Sequence, residues 1–480
     1  MGGATGADHV LVIGLDGADW DVIQPLMEEG EMPNLQKLME EGQHGNLTTT
    51  LPVESPVAWT SMSTGTTPGK HGIYGFIERD GNTFVPTTSE DVEQNRVWDY
   101  AGEEGEVVVV NVPQTFPPQE VNGSLISGYL SIEDAGYTYP EELQEELERD
   151  GYRIETLSDE FEEGKEEEFL ERLNVTVEKR TEAAEMLLER EDWRLGWVVY
   201  TGLDRLQHYF WKYQGGESDY AEVIDDHYRK LDRQVGELVE QAGDNTTVMV
   251  VSDHGFGPLE KNVYLNTWLK KEGYLQLEGE KASGFLADIG LTQQNVVDSL
   301  SGLGLLEPVK GFFDFLGFNP GADLPEPGLS DIDLETSRAY AGNYGGKIYL
   351  TGNAGDREEL LKELEAELES LEDPDTGRKI FEVYRPEEIY TGDMEGAPDL
   401  VLESRGPYRA VGFLGHQSVV KQPPEKTGTH RRDGMYILSS GAGDSDADIT
   451  DISPTILKAL GQPVPDEMDG VSILRHPTDR

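Results

Sequence analysis

The sequence predicts an α/β fold in which helices cover both faces of a central, mostly parallel sheet. Short apolar segments alternate with helical segments along the 480 residues, which is the pattern of this class. The apolar segments carry apolar residues at successive positions and are bounded by Gly, Pro or Asp, as is typical of strands that are covered on both faces. With 36% apolar residues, the chain can form one large domain or two ordinary ones.

The individual elements follow from local patterns. Periodicity and Pro33 predict helices over Asp21–Glu29 and Asn34–Glu41. Buried strands are predicted in six segments: His9–Leu15, Glu106–Val112, Leu195–Thr201, Thr246–Ser252, Asp399–Glu403 and Met435–Ser439.

Two stretches interrupt this alternation. Pro140–Arg190 is acidic and helical, and is interpreted as a solvated insertion. Lys270–Leu334 contains the amphipathic, aromatic segment Leu291–Phe318, which is compatible with a lid over a cleft, a membrane-surface contact or the ordinary packing of a cap. Composition favours the ordinary packing, and the negative charge of the chain argues against a membrane.

The charge balance is unusual in sign. The chain has 94 Asp and Glu against 38 Lys and Arg, a formal net charge of −56. Such a surface repels nucleic acid and anionic lipid, and no run of basic residues offsets it. Because the acids are spread over the whole chain, we interpret them as an adaptation to high salt and predict a halophilic source.

The absence of cysteine excludes disulfides, thiolate metal ligands and a cysteine nucleophile. The first basic residue is Lys37, and no apolar stretch approaches the ~18 residues of a membrane span. We therefore expect a cytoplasmic protein without a membrane span.

Candidate metal ligands follow the predicted strands. Asp16 follows the first strand, at the sheet edge where such folds bind ligands, although an Asp at this place is more often a helix cap. Asp253 and His254 end another strand and offer an oxygen and an imidazole to one divalent cation; a simple turn explains them equally well.

Three further residues extend this set. Asp204 and His208 are four residues apart, which places both on one helix face, as in a shared metal site or a plain helix pair. His430 lies in a Gly-flanked polar segment, which we expect to be a loop before a strand, and is equally compatible with a surface histidine.

Ser55 is the candidate nucleophile. It precedes Pro56 and a predicted helix through Thr64, so we expect it at the N-cap, where free backbone N–H groups favour attack on phosphorus. A simple capping serine is the alternative. Thr60 and Ser61 lie on later helical turns and are worse placed. Together the candidates suffice for two divalent metal ions about 4 Å apart.

These motifs occur in a recognisable order. The LDGAD segment at Asp16, the Ser55-Pro56 segment with its later HGI, the Asp204 and His208 pair, the SDHG turn and the GTH segment at His430 resemble the type I phosphodiesterase/nucleotide pyrophosphatase branch of the alkaline phosphatase superfamily. The C-terminal sequence DISPTILKALGQPVPDEMDGVSIL is also similar to that of the superfamily.

The resemblance implies an alkaline phosphatase-like three-layer sandwich, with residues 1–480 as one catalytic domain and helical cap insertions at about 116–190 and 270–334. It also implies that one metal is held by Asp16, Asp253 and His254 with Ser55 as a bridging nucleophile. A second metal would be held by Asp204, His208 and His430. Zinc fits this ligand set best, and manganese can replace it.

The expected function is therefore hydrolysis of a small-molecule phosphoester, with a phosphodiester favoured, through a phospho-serine intermediate. Phe76 stands where the nucleotide pyrophosphatases carry an Asn, and Ser55 where they usually carry Thr. Two alternatives remain: a phosphomutase or phosphotransferase that uses the same centre, and a non-catalytic, metal-stabilised binding protein.

Overall fold

The structure of the protein, a computed structural model, describes residues 7–80, 83–128, 136–154, 161–190, 192–277, 332–342, 344–414, 418–423, 426–441 and 443–474. In chain order the strands are β1 (His9–Leu15), β2 (Gln43–Thr48), β3 (Ile77–Asp80), β4 (Thr83–Pro86), β5 (Glu106–Val112), β6 (Gly123–Ser127), β7 (Thr138–Tyr139), β8 (Trp193–Tyr200), β9 (Thr246–Val251), β10 (Gly255–Pro258), β11 (Lys261–Tyr264), β12 (Ala339–Ala341), β13 (Lys347–Leu350), β14 (Phe381–Tyr384), β15 (Leu400–Ser404), β16 (Tyr408–Val411), β17 (Val420–Lys421), β18 (Gly428–Arg431), β19 (Asp433–Leu438), β20 (Gly443–Asp444) and β21 (Ala447–Asp448).

The helices alternate with these strands. They are α1 (Trp20–Glu28), α2 (Pro33–Glu41), α3 (Ser55–Thr64), α4 (Pro68–His71), α5 (Val97–Ala101), α6 (Glu142–Arg149), α7 (Glu166–Arg190), α8 (Gly202–Phe210), α9 (Val223–Ala242), α10 (Leu265–Lys271), α11 (Arg357–Ser370), α12 (Pro386–Ile389) and α13 (Ile452–Ala459). The six predicted strands and the two helices predicted at Asp21–Glu29 and Asn34–Glu41 are present, with boundaries that differ by at most two residues.

A large sheet forms the centre of the molecule. Its strands lie in the order β20-β2-β19-β9-β1-β8-β5-β6-β7, and β21 pairs with β2 beside β20. The four innermost pairings, of β1 with β8 and β9 and of β5 with β6 and β8, are all parallel. Strands β19 and β7 pair antiparallel to their neighbours. The predicted, mostly parallel sheet is confirmed.

Alternate residues of β1 point into different hydrophobic cores. Leu11, Ile13 and Leu15 belong to a core that includes residues of α1, α2, α7, α8 and α9. Val10 and Val12 belong to a second core with residues of α3, α5 and α13. The sheet therefore separates two helical layers, and the predicted three-layer architecture is confirmed.

A smaller sheet, in the order β12-β13-β15-β14, has its own core, to which α10 and α11 contribute. Beside it, β11 pairs with β16 in parallel and with β17 antiparallel. The strands of both small sheets are at most five residues long. Of these strands, only β15 is predicted by the sequence pattern.

Two segments were expected to form helical caps. Within 116–190 the chain forms β6 and β7 of the central sheet, and the apolar side of α7 belongs to the core of one layer. Most of 270–334, with all of Leu291–Phe318, lies outside the described residues. The cap role of both segments stays a prediction. Within the described ranges, every helix is too short or too polar to cross a membrane.

Candidate metal centre

The parallel strands bring the candidate ligands to one edge of the sheet. Asp16 directly follows β1, α8 begins two residues after β8, and Asp253 comes two residues after β9. Because β1 lies between β8 and β9 and all three are parallel, their carboxyl ends meet. Ser55, at the start of α3, and His430, on β18, lie at the same place. The seven predicted site residues are therefore together: Asp16, Ser55, Asp204, His208, Asp253, His254 and His430.

One group of ligand atoms is completely buried. Nε2 of His254 lies 3.3 Å from Oδ2 of Asp253 and 3.7 Å from Oδ1 of Asp16. Asp253 and His254 have no exposed surface, and Asp16 is 3% exposed. The three side chains offer ligand atoms that all lie within 4.8 Å of one another. They are the residues that the resemblance assigned to the first metal.

The second group adjoins the first. Oδ1 of Asp204 lies 3.1 Å from Nε2 of His430 and 3.6 Å from Nε2 of His208, and the two imidazole nitrogens are 3.2 Å apart. His254 also faces this group, since the rings of His254 and His430 stack with centroids 3.8 Å apart. Asp204, His254 and His430 likewise offer ligand atoms within 4.8 Å of one another.

His430 lies on a strand, contrary to the expectation of a loop. Strand β18 pairs antiparallel with β10, and His430 is directly opposite Phe256. This antiparallel pairing holds His430 next to the turn that carries Asp253 and His254. The Gly-flanked, polar sequence around His430 hid the strand, because four residues give too short a pattern to recognise.

Ser55 lies beside both groups. Its Oγ is 3.4 Å from Nε2 of His254, and the residue is 6% exposed. It is the first residue of α3, and Glu54 occupies the N-cap, so the predicted N-cap position of Ser55 is wrong by one residue. The other two hydroxyls are engaged elsewhere, since Thr60 donates to a backbone carbonyl and Ser61 bonds to His71.

The three imidazoles are oriented in the same way, each by a hydrogen bond from Nδ1 to a backbone carbonyl. Nδ1 of His208, His254 and His430 lies 2.9, 3.0 and 3.0 Å from the backbone carbonyls of Gly428, Gly255 and Val53, respectively. A carbonyl only accepts, so Nδ1 of each ring carries a proton, which leaves Nε2 as the atom that can ligate a metal. Each Nε2 faces the carboxylates, which is the arrangement of a metal-ligating histidine.

Burial and mutual repulsion shift the titration of these groups. Burial, reinforced by Asp253 and Asp204, holds the pKa of Asp16 well above its ordinary value, and burial with the charge of Asp204 raises the pKa of Asp253 to about 7. Burial lowers the pKa of His254 to about 3. For Asp204 burial is outweighed by the imidazoles of His208 and His430, which lower its pKa.

Three carboxylate oxygens at the centre are buried without a hydrogen-bond donor: Oδ1 of Asp16, Oδ1 of Asp204 and Oδ2 of Asp253. Buried acceptors of this kind are costly unless a partner satisfies them. Oxygen and imidazole nitrogen are ligands of zinc and of other divalent cations. Divalent cations would satisfy these oxygens and offset their repulsion, so the residues fit the metals that the resemblance implies.

Asp16 is positioned by its neighbours and does not cap a helix. Nε1 of Trp59 donates to Oδ2 of Asp16 at 3.2 Å. Gly14 permits this approach, because a Cβ there would lie 2.4 Å from the Trp59 ring. The cap of α1 is Asp19, which accepts a hydrogen bond from the N–H of Asp21. The alternative interpretation of Asp16 as a helix cap is therefore wrong.

Sequence reasoning missed a buried ion pair next to the nucleophile. Nζ of Lys347 lies 2.6 Å from Oε1 of Glu54, and each side chain is 4% exposed. Oε2 of Glu54 accepts the N–H of Phe76 at 3.2 Å. Glu54 and Lys347 are 293 residues apart in the sequence, and neither lies in a motif that would have revealed the contact.

A cavity of about 780 Å³ opens over the centre. Ser55, Asp16, Asp204, His208 and His430 line it, as does Phe76 at the position where the resemblance would place an Asn. The cavity gives a small molecule direct access to the serine and to both ligand groups.

A family sequence model defines the class of the protein, the type I phosphodiesterases / nucleotide pyrophosphatases. The model matches residues 10–434, and the chain belongs to this family. The family and enzyme class predicted from the motifs are confirmed. A comparison with curated proteins finds no significant match.

Solved structures share the fold at low sequence identity. Phosphonoacetate hydrolase from Sinorhizobium meliloti 1021, in complex with phosphonoacetate, is 15% identical with a TM-score of 0.58; the match covers 95% of this chain and 96% of that one. Murine ectonucleotide pyrophosphatase / phosphodiesterase 5 in complex with AMP is 14% identical, with a TM-score of 0.54 and coverage of 95% and 96%. Alkaline phosphatase PafA is 13% identical, with a TM-score of 0.55 and coverage of 98% and 99%.

Proposed function

We propose that the protein hydrolyses small-molecule phosphodiesters through a phospho-serine intermediate on Ser55, at a centre of two divalent metal ions. The observation that carries the proposal is the position of Ser55. Its Oγ lies 3.4 Å from Nε2 of His254. This imidazole lies close to ligand atoms on both sides, those of Asp16 and Asp253 and those of Asp204 and His430. Family membership supports the reaction class, and the geometry supports the choice of nucleophile.

Asp16, Asp253 and His254 are the proposed ligands of one ion, next to Ser55. Asp204, His208 and His430 are the proposed ligands of the other. Zinc suits the mixed carboxylate and imidazole set, and manganese is the proposed substitute. When bound, the ions supply positive charge that favours ionisation of the serine hydroxyl and offsets the charge of the phosphoryl group.

The chain itself contributes the nucleophile and its placement. Oγ of Ser55 loses its proton and attacks phosphorus in line, the bond to the leaving alkoxide breaks, the alkoxide takes up a proton, and the phosphoryl group remains on the serine with its second ester group. Water then attacks the same phosphorus from the cavity, the bond to Oγ breaks, the phosphomonoester leaves, and the serine regains its proton. Glu54, whose side chain is buried in the pair with Lys347, anchors the chain next to Ser55, so less freedom is lost when the serine attacks.

Metal-dependent turnover of bis(p-nitrophenyl) phosphate in high KCl tests the proposal. We expect chelation by EDTA to abolish turnover, and zinc or manganese to restore it. Ser55→Ala and Asp253→Ala should each lose at least ~100-fold in kcat/KM. Ser63→Ala is the matched control, because this buried hydroxyl of the same helix only bonds to the carbonyl of Thr60. Unchanged activity in Ser55→Ala or Asp253→Ala would refute the mechanism.

Product analysis separates hydrolysis from phosphoryl transfer. In the presence of added sugar or hydroxy-acid acceptors, the proposal predicts that the phosphoryl group goes to water. A phosphorylated acceptor as the main product would instead identify a phosphotransferase or phosphomutase. Failure to turn over any phosphoester with either metal would favour a metal-stabilised binding protein.

The proposal also includes a salt-rich cytoplasm as the working environment. It is supported by the net charge of −56 and by the absence of cysteine.

A further inference from the structure

One arginine that lines the cavity has no acidic partner. Nε of Arg409 donates to Oδ1 of Asn262 at 3.2 Å. Its two terminal nitrogens, Nη1 and Nη2, make no hydrogen bond to any residue that the structure describes, and no carboxylate of those residues lies within 4.0 Å. Arg409 lines the same cavity as Ser55. Four of its five N–H donors are thus available to a bound molecule.

This isolation is unusual in a chain where acids outnumber bases 94 to 38. Two other arginines of the cavity are paired with acids, since Arg405 contacts Glu382 at 3.1 Å and Arg432 contacts Glu403 at 3.0 Å. The terminal nitrogens of Arg431 donate hydrogen bonds to the carbonyls of His430 and Pro258. Arg409 is therefore distinguished from these neighbours by unused donors.

The surroundings of Arg409 keep acids away and hold the side chain still. Its strand β16 pairs with β11 so that Arg409 lies beside Asn262, which is 3% exposed. The ionisable groups that act on its charge are Tyr209, Tyr264 and Tyr344, and none of them is a carboxylate. Burial lowers the pKa of the Arg409 guanidinium, and no acid offsets this effect.

A partly buried guanidinium without a counterion is costly to the folded protein. The cost is recovered when an oxyanion binds, because the planar guanidinium donates two parallel hydrogen bonds to a carboxylate or phosphate. The guanidinium shares its cavity with the centre that would take the scissile phosphoryl group. A molecule that spans this cavity contacts both.

We propose that Arg409 binds a second oxyanion of the substrate, so that the natural substrate is a phosphoester with an additional carboxylate or phosphate group. This inference rests on the proposed function, since it assigns the first phosphoryl group to the Ser55 centre. Bis(p-nitrophenyl) phosphate has no second oxyanion and therefore leaves Arg409 unused.

Binding of substrate analogues to the zinc-loaded protein tests this assignment. The probes are ω-phosphonocarboxylates with two to six carbons, bisphosphonates of the same lengths, and alkylphosphonates, which lack the second anion. Isothermal titration calorimetry in high KCl gives each Kd without turnover. At one chain length or more, we expect a doubly anionic probe to bind at least ~10-fold more tightly than the matched alkylphosphonate. Which of the two anionic series is preferred identifies the second group.

Three variants assign the effect to the guanidinium. Arg409→Gln should remove the preference and leave the Kd of alkylphosphonates unchanged. Asn262→Asp should also remove it, because an acid at this place pairs with Arg409, and it keeps a side chain of the same shape in the core. Arg405→Gln is the matched control, since Arg405 lines the same cavity but has an acidic partner, and it should retain the preference.

The outcomes separate this inference from the proposed function. Equal affinities for singly and doubly anionic probes, or a preference that persists in Arg409→Gln, would overturn the role of Arg409 even if the diesterase activity is found. A preference that depends on Arg409 in a protein that turns over no phosphoester would support the anion site and refute the proposed reaction.

Discussion

At the scale of single residues, the centre combines imidazoles with carboxylates that repel one another. Each imidazole is fixed through Nδ1 by a backbone carbonyl, so the Nε2 atoms of His208, His254 and His430 converge. Asp16 and Asp253 are buried against each other with unpartnered oxygens. Such a cluster destabilises the metal-free fold and becomes favourable once cations are bound.

Residue types in a characteristic order made this centre recognisable in the sequence. The SDHG turn and the Asp204 and His208 spacing each point to a metal only weakly, and their combination with Asp16 and Ser55 is specific. Glu54, Lys347 and Arg409 could not be identified in this way. Their roles arise from contacts between distant segments, and an isolated Glu, Lys or Arg in an acidic sequence looks like any surface charge.

A buried histidine outside the centre should make stability depend on pH. Nδ1 of His71 accepts the N–H of Ile73 and Nε2 bonds to Ser61, so the ring is neutral. Burial, with the nearby positive charge of Arg96, lowers the pKa of His71 to about 3. As pH falls below about 6.5, His71 binds a proton in the unfolded chain but not in the folded chain. The free energy of unfolding that is present at higher pH is therefore lost.

Substitution of this residue tests the effect. Between pH 6 and pH 5, the wild type should lose up to about 1.4 kcal/mol more of its free energy of unfolding than His71→Gln does. Urea unfolding at constant ionic strength measures the difference. Parallel pH dependence in the two proteins would show that His71 is not held in the neutral form by the fold.

At the scale of elements, α3 is tied to the smaller sheet. The buried pair of Glu54 and Lys347 connects the N-cap of α3 with β13, and Nζ of Lys347 also donates to the carbonyl of Tyr74 at 3.1 Å. The hydroxyl of Tyr390, which follows α12, donates to the carbonyl of Leu51 at 2.7 Å, so a second segment contacts the chain just before α3. The smaller sheet therefore helps to position the helix that begins with Ser55.

Removal of one partner of this pair should be severe. We expect Lys347→Met to lower the free energy of unfolding by about 3–5 kcal/mol, because it leaves the Glu54 carboxylate buried and unpaired. It should also reduce kcat, since Glu54 precedes Ser55. The double variant Glu54→Gln with Lys347→Met should recover part of the stability.

The matched control is an exposed ion pair. Lys362 and Glu358 are 68% and 55% exposed in their side chains, and Lys362→Met should cost less than about 1 kcal/mol. Similar losses in Lys347→Met and Lys362→Met would contradict a structural role for the buried pair.

The elements also show how far sequence reasoning extends. Strands β1, β5, β8 and β9 were predictable because they are long, apolar runs that helices cover on both faces. The order of these strands in the sheet could not be predicted, because it depends on contacts between segments that are distant in the sequence. The small sheets were missed apart from β15, because most of their strands have only two to four residues and give no periodic signal.

At the scale of the whole molecule, the charge of −56 must be reconciled with an anionic substrate. Salt shortens the range of repulsion, since the Debye length falls from about 10 Å at 0.1 M to about 3 Å at 1 M. The proposed metal ions and Arg409 lie inside a cavity, where screening is weaker than at the surface. Salt should thus remove the unfavourable surface field and spare the attraction at the site.

Turnover should accordingly persist or increase as KCl is raised. We expect kcat/KM for bis(p-nitrophenyl) phosphate to be at least as high at about 2 M as at about 0.1 M KCl, and the melting temperature to rise over the same range, because self-repulsion of the acidic surface falls. Activity assays and thermal melts in a KCl series measure both. A sharp loss of activity with increasing KCl would contradict a salt-adapted enzyme.

The central claim is that Ser55 carries the transferred phosphoryl group, and trapping this adduct tests it most directly. The metal-loaded protein is mixed with bis(p-nitrophenyl) phosphate in high KCl, quenched in acid during turnover, digested and analysed by peptide mass spectrometry. The account predicts an adduct on Ser55 that still bears one p-nitrophenyl group, and its absence from Ser55→Ala. An adduct on another residue, or full turnover by Ser55→Ala, would contradict it.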